Sequence, residues 1–206
     1  MTTINLPFTS DVYITDGEPT TNFDNDTIYT GEAASSPLTF RTLIKPDYSA
    51  ISGIIITSAI LKMTPVYDDA TDDRIMYAHR VLRSVNYSQV TWNEYSTGNN
   101  WGTAGCGNST SDYDGAVVLG SATQLENQTI NNARGFQMTL DVTEINKFID
   151  GTYTNNGILL FVSVQSGDLF GYASTDHATS AYRPVITVTY ANPDVDRFFM
   201  FYPLRK

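Results

Sequence analysis

The sequence predicts an all-β chain: an antiparallel two-sheet β-sandwich of jelly-roll type with one short helix. Three observations carry this prediction. Short runs that alternate apolar and polar residues recur along the chain, separated by Gly, Asn, Asp and Pro. The composition favours pleated strands and their turns, with 13 Tyr, many Thr and many Asn. One stretch only, residues 143–150, has a helical apolar period.

The elements are read in chain order. Asp11-Val12-Tyr13-Ile14 is a first strand, Asp16-Gly17-Glu18-Pro19 a turn, and residues 20–26 a polar loop. Residues 27–31 form a second short strand. Residues 38–45 alternate as a central strand, and residues 54–64 are the strongest strand signal, stopped by Pro65. An acidic turn, Asp68, Asp69, Asp72 and Asp73, joins that strand to the next, which opens at Tyr77. There Tyr77, His79 and Val81 share one face, because strand side chains alternate. Residues 98–120 are rich in Gly, Asn and Ser and read as a long irregular excursion, with strands expected at 116–119 and 136–140. In the helix at 143–150, Thr143 is the expected N-cap. Ile145, Phe148 and Ile149 share a face, and Gly151 ends it. Strands at 157–164, 168–174 and 184–190 complete a set of roughly nine to eleven. Ile54, Ile56, Leu61, Leu159 and Phe161 are the expected core of the facing sheets.

With 206 residues and no composition break, the chain reads as one sandwich over residues 1–190 followed by a tail, 191–206. The formal net charge of −10 argues against nucleic acid and against an anionic membrane surface, both of which call for clustered Lys and Arg. The single Cys106 excludes an internal disulfide framework. No basic segment followed by an apolar run stands after Met1, so no secretory signal is read, and no apolar run is long enough to span a bilayer.

Several blocks, in order, resemble one family. They are Asp11-Val12-Tyr13-Ile14 with Asn22-Phe23; residues 40–45, opening Phe40-Arg41; residues 57–63; His79-Arg80-Val81, then Val90-Thr91-Trp92-Asn93 and Trp101; Leu140-Asp141-Val142-Thr143 with residues 150–157; Phe170-Gly171-Tyr172-Ala173-Ser174; and residues 182–190. Together they resemble the DNRLRE-domain family, jelly-roll modules similar to carbohydrate-binding modules. The resemblance spans residues 11–190 and implies a two-sheet jelly roll without catalytic machinery. The chain departs from the pattern at Pro46, where the family usually has an aromatic residue, so residues 45–47 are expected to be a strand end or bulge. The resemblance also implies binders of acidic polysaccharide. Such binding needs a basic cleft, and 12 Lys and Arg scattered among 22 acids do not suit one.

Candidate sites follow from residue type and place. Trp101 lies in a loop between Asn100 and Gly102, and with Tyr95 and Tyr113 it could form a stacking platform for a sugar ring. The alternative is that Trp101 folds back and closes the end of the sandwich. Trp92, which shares a face with Val90, is expected in the core. Asp68, Asp69, Asp72 and Asp73 could hold Ca²⁺, an oxygen-seeking cation, or form a solvated acidic turn. Asp24 with Asp26, and Asp112 with Asp114, offer the same choice. The two His residues lie far apart with no Cys partners, against a zinc site. No Gly-x-Ser-x-Gly elbow is present, and the acids sit mainly in turns, so no catalytic group is assigned. In the tail, Phe198, Phe199, Met200, Phe201 and Tyr202 are consecutive large apolar residues, expected to dock onto another protein subunit.

Two functions meet these readings. One is a non-catalytic structural or adhesion protein of a phage virion or similar extracellular particle, oligomeric and able to contact surface glycans. The other is a carbohydrate-binding module of a secreted polysaccharide-acting or cell-surface protein.

Overall fold

The structure, a computed structural model, describes residues 1–34, 38–162 and 167–191. In chain order its strands are β1 (Thr2–Leu6), β2 (Phe8–Thr15), β3 (Thr27–Glu32), β4 (Thr39–Pro46), β5 (Ile56–Met63), β6 (Pro65–Asp68) and β7 (Arg74–Val81). A small hairpin, β8 (Glu94–Ser96) and β9 (Asn99–Asn100), precedes β10 (Tyr113–Gln124) and β11 (Phe136–Thr139). Then come helix α1 (Val142–Ile149), β12 (Ile158–Val162), β13 (Leu169–Ala173) and β14 (Val185–Tyr190). Every strand pairing is antiparallel. One sheet runs β1-β14-β5-β11; the other runs β10-β7-β12-β4-β3-β13-β6, with β2 also paired to β4. This is the antiparallel two-sheet sandwich with one α-helix that the sequence predicts.

Alternation along the strands builds the first core. Ala59, Leu61 and Met63 of β5 and Ile186 and Val188 of β14 face Met76 and Ala78 of β7, Ile158, Leu160 and Val162 of β12, and Phe170 and Tyr172 of β13. Helix α1 closes one end of it with Ile145, Phe148 and Ile149, the three residues expected on its buried face. Asn146 ties the helix to β5, its side-chain oxygen accepting from Ile56 N at 3.0 Å while its amide donates to Ile56 O at 3.2 Å. The N-cap is Asp141 rather than Thr143: its carboxylate accepts from the Thr143 and Glu144 amides at 2.8 and 3.2 Å, and a carboxylate at that place also suits the helix dipole.

Leu159 and Phe161 do not face the other sheet. They project from the opposite side of β12, together with Leu43 of β4 and Val81 of β7, into a second apolar cluster. Its lid is the long excursion of residues 82–113, which lays Val90, Trp101 and Cys106 over that face, with Trp92, Tyr95 and Tyr113 packed alongside. The central strands are therefore covered on both sides, which is why residues 158–162 are continuously apolar rather than alternating.

Other differences have local causes. Pro65 stands just past the end of β5, the stop expected there, and also opens β6, an edge strand of the other sheet, where a missing N–H costs no ladder bond. The strand expected at 116–119 is part of β10, which is longer than expected, Tyr113–Gln124, and carries register breaks near Val118. Pro46 does end β4, and its pairing with β2 shifts register between Phe8 and Ser10, the strand end and bulge expected there. The tail residues Phe198, Phe199, Met200, Phe201 and Tyr202 lie outside the described residues.

Candidate binding cleft at Trp101

The excursion keeps its shape through one buried carboxylate. Asp112, fully buried, accepts from the amides of Gly102 (2.8 Å), Thr103 (3.0 Å) and Asn108 (3.0 Å), from Ser111 Oγ (3.2 Å) and from Arg83 Nε (3.3 Å). Burial opposes its charge, but the three backbone donors and Arg83 outweigh it and hold the carboxyl below its ordinary value. Gly105 lets the loop pass beneath Trp92: its φ is +76°, and a Cβ there would stand 2.5 Å from the indole. The Arg41 guanidinium lies 5.6 Å from the centroids of both Trp92 and Phe161 and donates to Gly105 O at 2.7 Å.

Next to this support lies a cleft of about 410 Å³, lined by Thr20, Thr91, Asn93, Glu94, Asn100, Trp101 and Ala104. The β8–β9 hairpin sets Glu94 directly across from Asn100. Its turn needs Gly98, at φ +76°, whose N–H donates to Glu94 Oε2 at 3.1 Å. Trp101 N donates to Asn93 O at 3.1 Å, and Asn93 N to Pro19 O at 3.1 Å, so the loop bearing Thr20 is tied to the same wall.

The structure keeps two of the three aromatics expected to form a platform together, Tyr95 and Trp101, and sets Tyr113 apart. Trp101 is only 5% exposed and donates its indole N–H to Thr91 O at 3.0 Å, so it offers the cleft an edge and no open ring face. Tyr95 touches it, centroid to centroid at 5.6 Å. Tyr113 packs elsewhere, on His79 at 5.1 Å and Phe161 at 5.8 Å. Trp101 thus closes the second core, the alternative left open by its loop position. His79 is buried beneath these rings, its Nδ1 facing the carbonyls of Asp114 (2.9 Å) and Val117 (3.0 Å), which assigns the proton to that nitrogen.

The four aspartates expected to hold Ca²⁺ do not converge. Asp68 accepts from the amides of Ala70 (3.0 Å) and Gln128 (2.6 Å), Asp72 pairs with Arg74 at 3.0 Å, and Asp73 accepts from Glu126 N at 2.8 Å. Three of the four carboxylates thus have protein donors of their own, and the turn is further fixed by buried Asp168, which accepts from Thr71 N, Asp72 N and Arg74. Of the other acids weighed for a cation, Asp112 braces the loop and Asp114 pairs with Arg80 at 2.7 Å. Among the described residues no group of three or more His, Cys, Asp or Glu has metal-holding geometry.

A second aromatic surface escaped sequence reasoning. Phe23, Tyr13, Phe40, Tyr29 and Tyr67 form one chain of ring contacts at 4.6 to 6.1 Å, with Tyr67 40% exposed. Tyr29 and Tyr67 meet over Gly171, with which both are in register. These rings come from separate strands and loops, so only the pairing unites them; Gly171 inside an apolar strand was the one local sign of a close approach.

Residues 13–188, from within β2 to within β14, match the model of a family described as the disaggregatase related repeat domain. The chain belongs to that family. The match covers the whole of the larger sheet except the start of β2, and it includes the 82–113 excursion with its cleft. No curated protein matches the chain. In this disaggregatase related repeat domain the cleft is built by the covering loop together with the loop bearing Thr20.

Proposed function

We propose that this disaggregatase related repeat domain is a non-catalytic adhesion module that binds an uncharged glycan chain in the Trp101 cleft. The lining of that cleft carries the reading: two side-chain amides, two threonines and one carboxylate beside Trp101. Amides, hydroxyls and carboxylates are the groups that pair with sugar hydroxyls, and Trp101 adds a small apolar contact at the wall. No Lys or Arg lines the cleft, and the chain carries a net charge of −10, so a polyanionic chain would be repelled. Only one carboxylate, Glu94, lines it, whereas glycoside hydrolysis in its usual form needs two. A family described as a repeat suits a module that works beside other domains. The resemblance to DNRLRE modules, similar to carbohydrate-binding modules, points the same way. A structural role in a phage virion or similar particle would use the same sandwich; the docking segment proposed for it, residues 198–202, lies outside the described residues.

A glycan array with the full chain tests the proposal. Neutral glycans are expected to bind, and Asn93→Ala and Asn100→Ala, both at exposed positions, are expected to weaken binding about tenfold each while leaving the melt unchanged. No binding, or binding indifferent to both changes, overturns it.

A further inference from the structure

At one end of the aromatic chain, three rings border a cleft of about 210 Å³ that shares no residue with the one at Trp101. Tyr13 of β2, Phe40 of β4 and Phe23, from the loop between β2 and β3, line it together with Leu38, Thr15 and Glu18. Phe23 stacks on Tyr13, the centroids 4.6 Å apart and the planes at 14°, and the two residues form a backbone bridge. Phe40 stands 5.9 Å from Tyr13, tilted by 43°. Tyr13 is buried, and Phe23 and Phe40 are half-buried, so the strands and each other's faces hold the rings in place.

Glu18 is the one charged group in that lining. It sits in a turn closed by Thr21 N, which donates to Glu18 O at 3.1 Å, while Glu18 Oε2 accepts from Thr21 Oγ1 at 3.1 Å. Asp16, next to the lining residue Thr15, accepts from Thr39 N at 2.8 Å. Among the described residues no Lys, Arg or His forms an ion pair with either carboxylate. A hollow walled by rings and edged by unpaired negative charge suits a cation with an apolar surface. The negative faces of aromatic rings attract a cation placed within about 6 Å of their centroids. A primary ammonium suits the cleft poorly, because it is strongly hydrated and brings three donors, whereas Thr15 Oγ1 already accepts from Gly17 N at 3.2 Å. A quaternary ammonium has no donor to satisfy and covers its charge with methyl groups. Volume sets the size: pockets for drug-sized ligands begin near about 300 Å³, so this one takes a single small ion rather than a chain.

We infer that this cleft binds a small quaternary ammonium ion of the choline class. The methyl groups of the ion lie against Tyr13, Phe23 and Phe40, and its charge faces Glu18. The free ion is favoured over one joined to phosphate, because a phosphate would meet the charges of Glu18 and Asp16. The inference stands whether or not the Trp101 cleft takes a glycan, since the two clefts have separate linings.

NMR titration of the full chain with choline chloride tests it, at neutral pH and at constant ionic strength so that screening is the same at every step. The choline methyl signal and the ring signals of Phe23 and Phe40 are expected to shift together and saturate at one affinity. The uncharged carbon isostere, 3,3-dimethylbutan-1-ol, is expected to bind at least about tenfold more weakly, and phosphocholine at least about fivefold more weakly. Glu18→Gln, at an exposed position, is expected to weaken choline about threefold while leaving the melt unchanged. A titration without saturable shifts at these rings overturns the inference. Equal affinity for the isostere also overturns it, because the cleft would then be an apolar hollow indifferent to charge. Phosphocholine binding as tightly as choline overturns the assignment to the free ion. The glycan array succeeds or fails by itself whichever result is found.

Discussion

Trp101 serves two needs at once. Its ring fills the second core while its edge faces the cleft, and its N–H is satisfied by Thr91 O. Removing it should therefore cost stability first: Trp101→Ala is expected to destabilise the fold by about 3–5 kcal/mol. Calorimetry checks this, and an unchanged melting temperature would show that the ring is not core. Asp112 gives the fold a pH signature in acid. Burial penalises its charge, but its backbone donors hold the carboxyl below the ordinary value, so its contribution is present above the unfolded value and lost on acidification below it. Asp112→Asn should lower the melt at neutral pH and shrink the loss that the wild type suffers in acid; identical acid profiles would contradict this. Neither role could be read from residue type. A loop Trp between glycines suits a platform or a lid equally well, and what decides is whether a strand lies beneath it. Asp112 looked like any acid of a turn until the folded loop aimed three amides at it.

The sandwich was legible at the level of elements because its signals are local. Alternation, turn residues and one helical period placed β2 to β5, β7 and β11 to β14 close to where they stand, together with α1. The sides were less legible than the strands. Period two tells which residues share a face, not what covers that face, so Leu159 and Phe161 were assigned to the facing sheets although they lie beneath the excursion. The short elements β1, β6, β8 and β9 were missed because they are edge or hairpin strands set by their partners rather than by apolar runs. Since Leu159 is fully buried, Leu159→Ala is expected to cost about 2–5 kcal/mol whichever face it occupies. What distinguishes the faces is the second readout. The loss should free the excursion, so that proteolysis cuts first within residues 82–113. Cleavage first at the helix or in β5 would return Leu159 to the main core.

For the whole molecule, the account joins a rigid two-sheet frame, a covering loop with a polar cleft, and a strongly acidic surface. The frame and the charge were readable from the sequence. The cleft was not, because its lining comes from residues 20, 91, 93, 94, 100, 101 and 104, which only the fold brings together. Net charge predicts the ligand's sign: affinity for neutral glycans should barely change with salt, since no ion pair crosses the interface. The most direct measurement of the central claim is an NMR titration of the full chain with the neutral glycan that the array selects. Two indole N–H signals report on the two tryptophans, and side-chain amide signals report on Asn93 and Asn100. The account predicts that the Asn93 and Asn100 amides and the Trp101 indole shift together and saturate at one affinity, while the Trp92 indole, which does not line the cleft, stays in place. Shifts centred instead on Tyr29 and Tyr67, or on no cleft residue at all, would contradict it.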